Sequence, residues 1–494
     1  MTVNHQNAIA FKLTPEYELY AAVVTTSLSA SFYEKDAERL ARIKSLMQKC
    51  DPVFVARLAV YARNEMHMRS IPLVLVVELA KIHSGDALIS RMIAKVIQRA
   101  DEITELLAYY QLANERKDTK KLNRLSKQVQ KGLMDPFNRF DEYQFAKYNK
   151  KTAVTLKDAL FLVHPKAKDA AQQELFNKIA KDDLAVPYTW EVELSQLGQR
   201  HFKGWTDKQK AFKEKWEELI DSNKVGYMAL MRNLRNMLEV GISGKHVAKV
   251  CDYLANENAI AHSKQLPFRF LAAYREIMDL DSKYTSMVLD ALETAVMASA
   301  NNIKGFDINT SVVVACDVSG SMQQPISPRS KVLLYDIGLM LGMLMQNRCK
   351  NVVSGMFGDK WKIINMPKRS ILSNVNEYYR REGEVGYSTN GYLVLEDLIS
   401  RRKKVDKIML FTDVQLWNSN YDEHTFHDSW NRYKAIAPQA KLYLFDLAGY
   451  GHAPVNMQKN DVYLIAGWSD KVFDVLHALE DKASALQYID RIEI

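Results

Sequence analysis

Two stretches of this chain carry side chains that could do chemistry together. Asp317, Ser319 and Ser321 are spaced D-x-S-x-S directly after the apolar run Ser311-Val-Val-Val-Ala-Cys316. A second apolar run ends in Leu410-Phe-Thr-Asp413. Runs of this kind read as buried parallel strands, with polar groups at their C-terminal ends. The first strand end supplies a carboxylate and two hydroxyls on one turn, and the second supplies another carboxylate. Thr389, in Tyr387-Ser-Thr-Asn390 ahead of a helical pattern, adds a third hydroxyl. An all-oxygen set with few carboxylates suits Mg²⁺, which keeps waters and an open position. A metal held mainly by hydroxyls stays electrophilic and can accept a carboxylate or phosphate from a partner. The alternative is a turn of capping residues with no metal, since Asp and Ser also cap.

The second feature is electrostatic. Between Arg116 and Lys157 there are twelve basic side chains against four acidic ones, net +8 over 42 residues. Lys117, Lys120, Lys121, Arg124, Lys127 and Lys131 recur every three or four positions, the spacing of one helix face. Such a stripe suits phosphates without reading sequence; a solvated Lys-rich face is the alternative. His424 and His427 have H-x-x-H spacing among acids, but no third ligand is defined, so a solvated loop is the expectation there.

The elements that must position these residues follow from composition and periodicity. Residues 306–494 hold 22 basic and 22 acidic side chains, whereas residues 1–305 hold 45 and 37. The whole excess of +8 therefore lies in the first part. Eight glycines fall in the first 305 residues and eleven in the last 189. Sparse glycine with abundant Ala, Leu, Lys and Glu predicts helix upon helix over 1–305. Asp51-Pro52 reads as an N-cap with proline at the first helical position, followed by Val55, Leu58, Ala59 and Ala62 on one face. Further helices are expected through Leu40, Ile43 and Met47, over 72–80, 226–235 and 266–274. Helical pairs without a strict period suggest a HEAT-like solenoid, with a generic helical bundle as the alternative.

After residue 305 the pattern changes to α/β. Strands are expected at 311–316, 352–356, 408–412, 442–445 and 462–465, with helices over 332–346 and 391–401. Alternating strand and helix give a doubly wound parallel sheet, whose ligands bind beyond the carboxyl ends of the strands. Asp317 and Asp413 both stand there.

Several classes are excluded. A hydrophobic content of 47% rules out a disordered chain. The four cysteines, at 50, 251, 316 and 349, form no CxxC pair and read as free thiols of a reducing cytoplasm. The first residues lack a signal-peptide pattern, and no run of about 18 apolar residues exists, so no membrane association is expected. No nucleophile–base pair, glycine-rich phosphate loop or paired catalytic carboxylate stands out, so the chain does not read as an enzyme.

Val314-Ala-Cys-Asp-Val-Ser-Gly-Ser-Met322, Thr389 and Leu410-Phe-Thr-Asp413 resemble the metal-ion-dependent adhesion site of von Willebrand factor A domains. The resemblance implies Asp317, Ser319, Ser321, Thr389 and Asp413 as the ligand set for Mg²⁺. Val414 stands where that family often has glycine. Leu58-Ala-Val-Tyr-Ala-Arg63, Met68-Arg-Ser-Ile-Pro72, Leu230-Met-Arg-Asn-Leu234 and Leu266-Pro-Phe-Arg-Phe-Leu271 resemble the TROVE module of the Ro ribonucleoprotein family. The order, TROVE first and von Willebrand A last, is that of Ro proteins of bacterial or phage type. It implies a monomeric helical-repeat ring over 1–305 and an α/β domain over 306–494. It further implies binding of Y-like RNAs on a basic outer face, and of single-stranded 3′ ends of misfolded non-coding RNAs in the hole. RNA quality control in the cytoplasm, with an exoribonuclease among the partners, would follow. Lys147-Tyr-Asn-Lys-Lys151 and the segment through His164 resemble the Ro segment that contacts Y RNA, which carries Lys147, Lys151 and His164 over as contacts. Lysine at 151, where Ro commonly has arginine, keeps the charge but not the fork. Lys120, Arg124 and Lys127 of the stripe are RNA candidates, and Arg232 is a candidate for the inner face. A metal-dependent protein-interaction scaffold is the rival reading.

Overall fold

Asp51 accepts the backbone N–H groups of Val53 and Phe54 at 2.7 and 3.3 Å and starts the helix Pro52–Asn64, with proline in its first turn. The same local logic runs through the computed structural model. It describes residues 2–4, 8–26, 36–114, 125–149, 153–263, 265, 267–299, 308–326, 330–367, 370–416, 425–456, 461–467 and 485–494. Among these, no helix is long and apolar enough to cross a membrane, and all four cysteines are free and buried.

The chain forms two compact units. One comprises Leu40–Val192 with Leu486–Ile494; the other comprises Met1–Arg39 with Glu193–Ala485. The change of texture at residue 305 is thus a change of secondary-structure class inside the second unit, where the helices Pro267–Ile277 and Thr285–Ser299 pack on the later helices Leu334–Arg348 and Ile371–Arg380.

In the first, all-helical unit, packing skips along the sequence. Pro52–Asn64 packs on Leu88–Val96, Ser70–Ile82 on Ala100–Ala113, and Leu88–Val96 on Lys127–Arg139. This is a two-layer stack of helical pairs. A buried ion pair crosses it: Arg63 reaches Glu102 at 2.7 Å and the Val96 carbonyl at 3.1 Å. Glu102 also accepts the N–H groups of Gln98 and Arg99, so its charge is fully hydrogen-bonded. The C-terminal residues return here, with Asp490 3.6 Å from Arg57 and the Tyr488 ring 6.0 Å from that of Tyr61.

Among its described residues the second unit carries nine strands: β1 (Thr2–Val3), β2 (Ile9–Lys12), β3 (Ser311–Asp317), β4 (Asn351–Phe357), β5 (Trp361–Ile363), β6 (Lys407–Thr412), β7 (Lys441–Asp446), β8 (His452–Ala453) and β9 (Val462–Ala466). Six form one sheet in the order β5-β4-β3-β6-β7-β9, parallel except for the edge strand β5. The other three form an antiparallel set, β1-β2-β8. The N-terminal residues are therefore part of the sheet-bearing unit. Leu13 joins the core beneath the main sheet, Thr25 donates to the Ala448 carbonyl at 3.2 Å, and the Ala466 N–H donates to the Tyr20 hydroxyl at 3.2 Å.

Two expectations are corrected. The segment 226–235 is two helices, Tyr227–Arg232 and Leu234–Glu239, because Asn233 turns its amide back onto the Ala229 carbonyl at 2.8 Å and interrupts the run. His427 lies in the first turn of the helix Phe426–Ile436, with its ring 5.0 Å from that of Phe11, instead of in a solvated loop; His424 lies outside the described residues. Of the stripe from Lys117 to Lys131, only Lys127 and Lys131 fall in a described helix; the others, Lys120 and Arg124 included, lie outside the described residues.

Candidate metal centre and basic surfaces

β3 and β6 are neighbours, with Cys316 opposite Phe411, so Asp317 and Asp413 emerge from adjacent strand ends. Asp317, Ser319, Ser321, Thr389 and Asp413 are all buried, and the fold gathers them. Asp317 accepts the Ser319 N–H at 2.9 Å through one oxygen and the Thr412 hydroxyl at 2.7 Å through the other. The Ser319 and Ser321 hydroxyl oxygens are 3.3 Å apart. Thr389 donates to the Gln415 carbonyl at 3.0 Å, and the Gln415 N–H donates to Asp413 at 3.0 Å. Thr389 and Asp413 are thereby tied through the backbone of one residue, Gln415.

Val414 makes that tie. Its φ is +62°, the left-handed region that a β-branched residue avoids. The conformation costs about 1–2 kcal/mol. In return the Val414 N–H reaches the Thr412 hydroxyl at 3.1 Å, and Gln415 turns toward Asp413. Strain of this kind collects at functional sites. The helix Leu334–Arg348 lies directly on the sheet behind the site. A Cβ at Gly338 would stand 2.6 Å from the Phe411 Cβ and 2.9 Å from the Cys316 Sγ.

Sequence reasoning missed a third carboxylate. Asp446 ends β7, the strand beside β6, and is fully buried. One oxygen accepts the N–H groups of Ala448 and Gly449 at 2.9 and 2.7 Å; the other has no hydrogen-bond partner among the described residues. The rule that exposed Asp317 and Asp413, an acid closing a buried parallel strand, applies equally to Leu442-Phe445-Asp446. Thr412, which orients Asp317, was also missed. Burial first, and the charge of Asp413 second, push the Asp317 carboxyl well above the usual carboxylate range. Burial pushes Asp446 up to about 6, against its two backbone hydrogen bonds and with the Asp413 charge adding to the rise. Carboxylates that crowd one another in a dry site favour a cation. Among the described residues no three or more His, Cys, Asp or Glu side chains form a metal cage. The donors are instead carboxylate and hydroxyl oxygens, a set that fits Mg²⁺ and leaves coordination positions open.

The basic candidates divide between the units. In the helical unit, Lys127 and Lys131 are exposed on Lys127–Arg139. Gln130 of that helix donates to the Val163 carbonyl at 3.2 Å, which places the end of Leu156–Val163 alongside. His164 is the left-handed C-cap of this second helix, with φ +49° and an exposed ring. Lys147 is exposed on Glu142–Tyr148, 5.9 and 5.6 Å from the Tyr143 and Tyr148 ring centres, and Phe145 anchors that helix 5.9 Å from Phe137. Lys127, Lys131, Lys147 and His164 thus stand on three helices that pack together. Arg139 is less available, since it binds Asp135 and the carbonyls of Ile97 and Ala94. Lys151 lies outside the described residues. Arg232 belongs to the other unit, at the end of Tyr227–Arg232, and is exposed beside Arg269, which sequence reasoning also missed.

One hydrogen-bonded run resembles a nucleophile and its base: Ser243 to His246 at 2.7 Å and His246 to Asp221 at 3.2 Å. Ser243 is the N-cap of Gly244–Leu254 and His246 sits in its first turn, so the run ties two helix ends together.

The model of the TROVE domain matches residues 22–201 and 181–313, more than half of the chain. The chain belongs to the TROVE family. This is the RNA-binding ribonucleoprotein family of the Ro proteins, whose members are not known as enzymes. The fold resembles the crystal structure of the Ro (RSR) protein of Deinococcus radiodurans, with a TM-score of 0.62 and 16% identity, covering 94% of this chain and 100% of that one. Telomerase protein component 1 of mouse is 25% identical over 348 residues, 53% of this chain, and that of rat is 25% identical over 392 residues, 62% of this chain. The chain spans 13% and 14% of the length of these two TROVE relatives.

Proposed function

We propose that this chain is a Ro-type RNA-binding protein acting in RNA quality control in the cytoplasm. Structured, Y-like RNA lies along the surface of Lys127, Lys131, Lys147 and His164, and Lys120, Arg124 and Lys151 are further contacts. Single-stranded 3′ ends of misfolded non-coding RNAs engage the Arg232 side. The helical repeats over 1–305 act as a monomeric ring, and an exoribonuclease is the partner that consumes the ends so presented. The TROVE match over residues 22–313 carries this reading. The placement of Lys127, Lys147 and His164 on three exposed helices linked by the Phe137–Phe145 and Gln130–Val163 contacts supports it, since phosphate contacts position an RNA on its protein.

Residues 306–494 act as a von Willebrand factor A domain. The sheet order with one antiparallel edge strand, and the buried oxygen set at the ends of β3 and β6, support this. Asp317, Ser319, Ser321, Thr389 and Asp413 would hold Mg²⁺ directly or through water. A bound Mg²⁺ supplies an open position for a carboxylate or phosphate. The chain's own part is to hold those five side chains still through Thr412, Gln415 and the strained Val414. A metal-dependent protein-interaction scaffold is the second reading, favoured by the same buried oxygen set, and it is compatible with the first.

The deciding experiment sequences RNA that co-purifies with the full chain and compares absorbance ratios before and after RNase. Enrichment of structured RNAs with unpaired 3′ ends is expected. A protein free of RNA that also fails to retard such RNA in gels would refute the RNA reading and leave the scaffold.

A further inference from the structure

The sheet-bearing unit contains a cavity of about 560 Å³ that the metal centre does not use. Arg232, Arg235, Arg269 and Lys331 line it, against one acid, Glu276. Glu276 is already shared, 3.1 Å from Lys331 and 3.6 Å from Arg235, and Arg235 also holds Glu239 at 2.7 Å. Arg232 and Arg269 come from different helices, Tyr227–Arg232 and Pro267–Ile277, and face the same space. Desolvation, and then the Arg232 charge, lower the pKa of Arg269, as expected of like charges held together in a recess. Met228, Ala272 and Ala273 give the wall its accessible apolar surface, with Met231 and Ile277 buried behind, while Asn236 adds an amide that can donate and accept.

Crowded guanidiniums beside an apolar wall, in a space the size of a small ligand, match one chemical class. We propose that this cavity binds a nucleoside phosphate, with the phosphate between Arg232 and Arg269 and the base against Met228, Ala272 and Ala273. Guanidinium forks bind phosphate oxygens in pairs. Thioethers adapt to flat, polarisable surfaces such as a base. Two sources share this chemistry: a free mononucleotide, and the phosphate-bearing terminal nucleotide of an RNA strand. The second source rests on the RNA-binding reading; the first does not.

The test uses the full chain and a fluorescent N-methylanthraniloyl derivative of adenosine monophosphate. Adenosine monophosphate should displace the probe, and adenosine should do so at least about tenfold less well, since a charge-assisted phosphate contact is worth that much. Arg232→Gln and Arg269→Gln should each weaken probe binding about tenfold or more. Glu276→Gln should tighten it by releasing Arg235 and Lys331, and Lys210→Gln, at an exposed lysine outside the cavity, should leave it unchanged. Unaltered melting temperatures separate these effects from unfolding. Adenosine competing as well as its monophosphate, or arginine variants that bind normally, would overturn the proposal. So would competition by hydroxyl-ended and phosphate-ended oligoadenylate alike without competition by the mononucleotide. If 3′-phosphorylated oligoadenylate competes at or below the concentration of the mononucleotide, the ligand is a strand end. If the mononucleotide alone competes, it is the free nucleotide, and the cavity stands even where no RNA co-purifies.

Discussion

Replacing Arg275 by methionine should strip the sheet-bearing unit of its most consequential ion pair. Arg275 holds Asp336 through two parallel bonds of 2.6 and 2.9 Å, and both side chains are buried. The same guanidinium donates to the Lys331 carbonyl at 2.8 Å and to Asn376 at 3.1 Å. Asp336 accepts the Leu333 N–H at 2.7 Å and so caps the helix Leu334–Arg348, which lies on the sheet behind the metal centre. Methionine fills a similar volume but leaves a buried carboxylate with one backbone donor. Removing one partner of such a pair costs about 3–5 kcal/mol. Burial raises the Asp336 pKa even with Arg275 present. Without the arginine it rises further, so the folded variant takes up a proton that the unfolded chain releases near pH 4. The penalty is therefore largest near neutrality and shrinks as the pH falls toward 5. Arg275→Met with Asp336→Leu removes both charges and should recover most of the loss. The assay is the urea midpoint of the full chain at pH 5 and pH 7.5, with hydrogen exchange of the 334–348 amides as a local readout. A loss below about 1 kcal/mol at pH 7.5, or a double variant as weak as the single one, would refute the argument.

Four further outcomes follow from named contacts. Replacing Lys127, Lys131 and Lys147 by glutamine should flatten the salt dependence of structured-RNA binding by about 0.9 in log–log slope per lost phosphate contact, about 2.7 in all, read by gel shift between 50 and 200 mM salt; an unchanged slope excludes that face. Mg²⁺ at about 100 times its Kd should stabilise the sheet-bearing unit by about 2.7 kcal/mol, and Asp413→Ala should abolish that gain, as thermal melts with and without chelator would show. Asp446 has a folded pKa of about 6, above its ordinary 3.8, so its contribution to stability is present below 3.8 and lost as pH rises through 6. In metal-free buffer the melting temperature should fall across that window, and less in Asp446→Asn. Gly338→Ala should cost about 1–3 kcal/mol by pushing a helix off Phe411 and Cys316, detectable as a lower urea midpoint.

Much of the sheet was legible because its strands are buried on both faces and read as unbroken apolar runs. β3, β6, β7 and β9 lie within a residue or two of their expected positions. The metal-centre residues were legible because their polar types interrupt those runs at their ends. Asp446 was passed over because no hydroxyl motif follows it. The path of the chain termini was not legible at all. The four residues of β2 are too short to announce a strand, and their partner β8 is shorter still. The pairing of Arg232 with Arg269 could not be read either, because it depends on how two helices 37 positions apart cross.

The placement of β2 and the helix Pro15–Val24 matters during synthesis. Leu19 through Val24 are completely buried, against residues that the ribosome makes much later: Tyr20 meets Ala466, 446 positions on. At about 5–20 residues per second, that apolar segment leaves the exit tunnel roughly 20–90 seconds before its binding partners exist. A nascent chain therefore carries an unsheltered greasy leader while its other helices form around it. Dependence on a chaperone that grips early-emerging hydrophobic segments follows, as does sensitivity of yield to translation speed through the codons for 441–466.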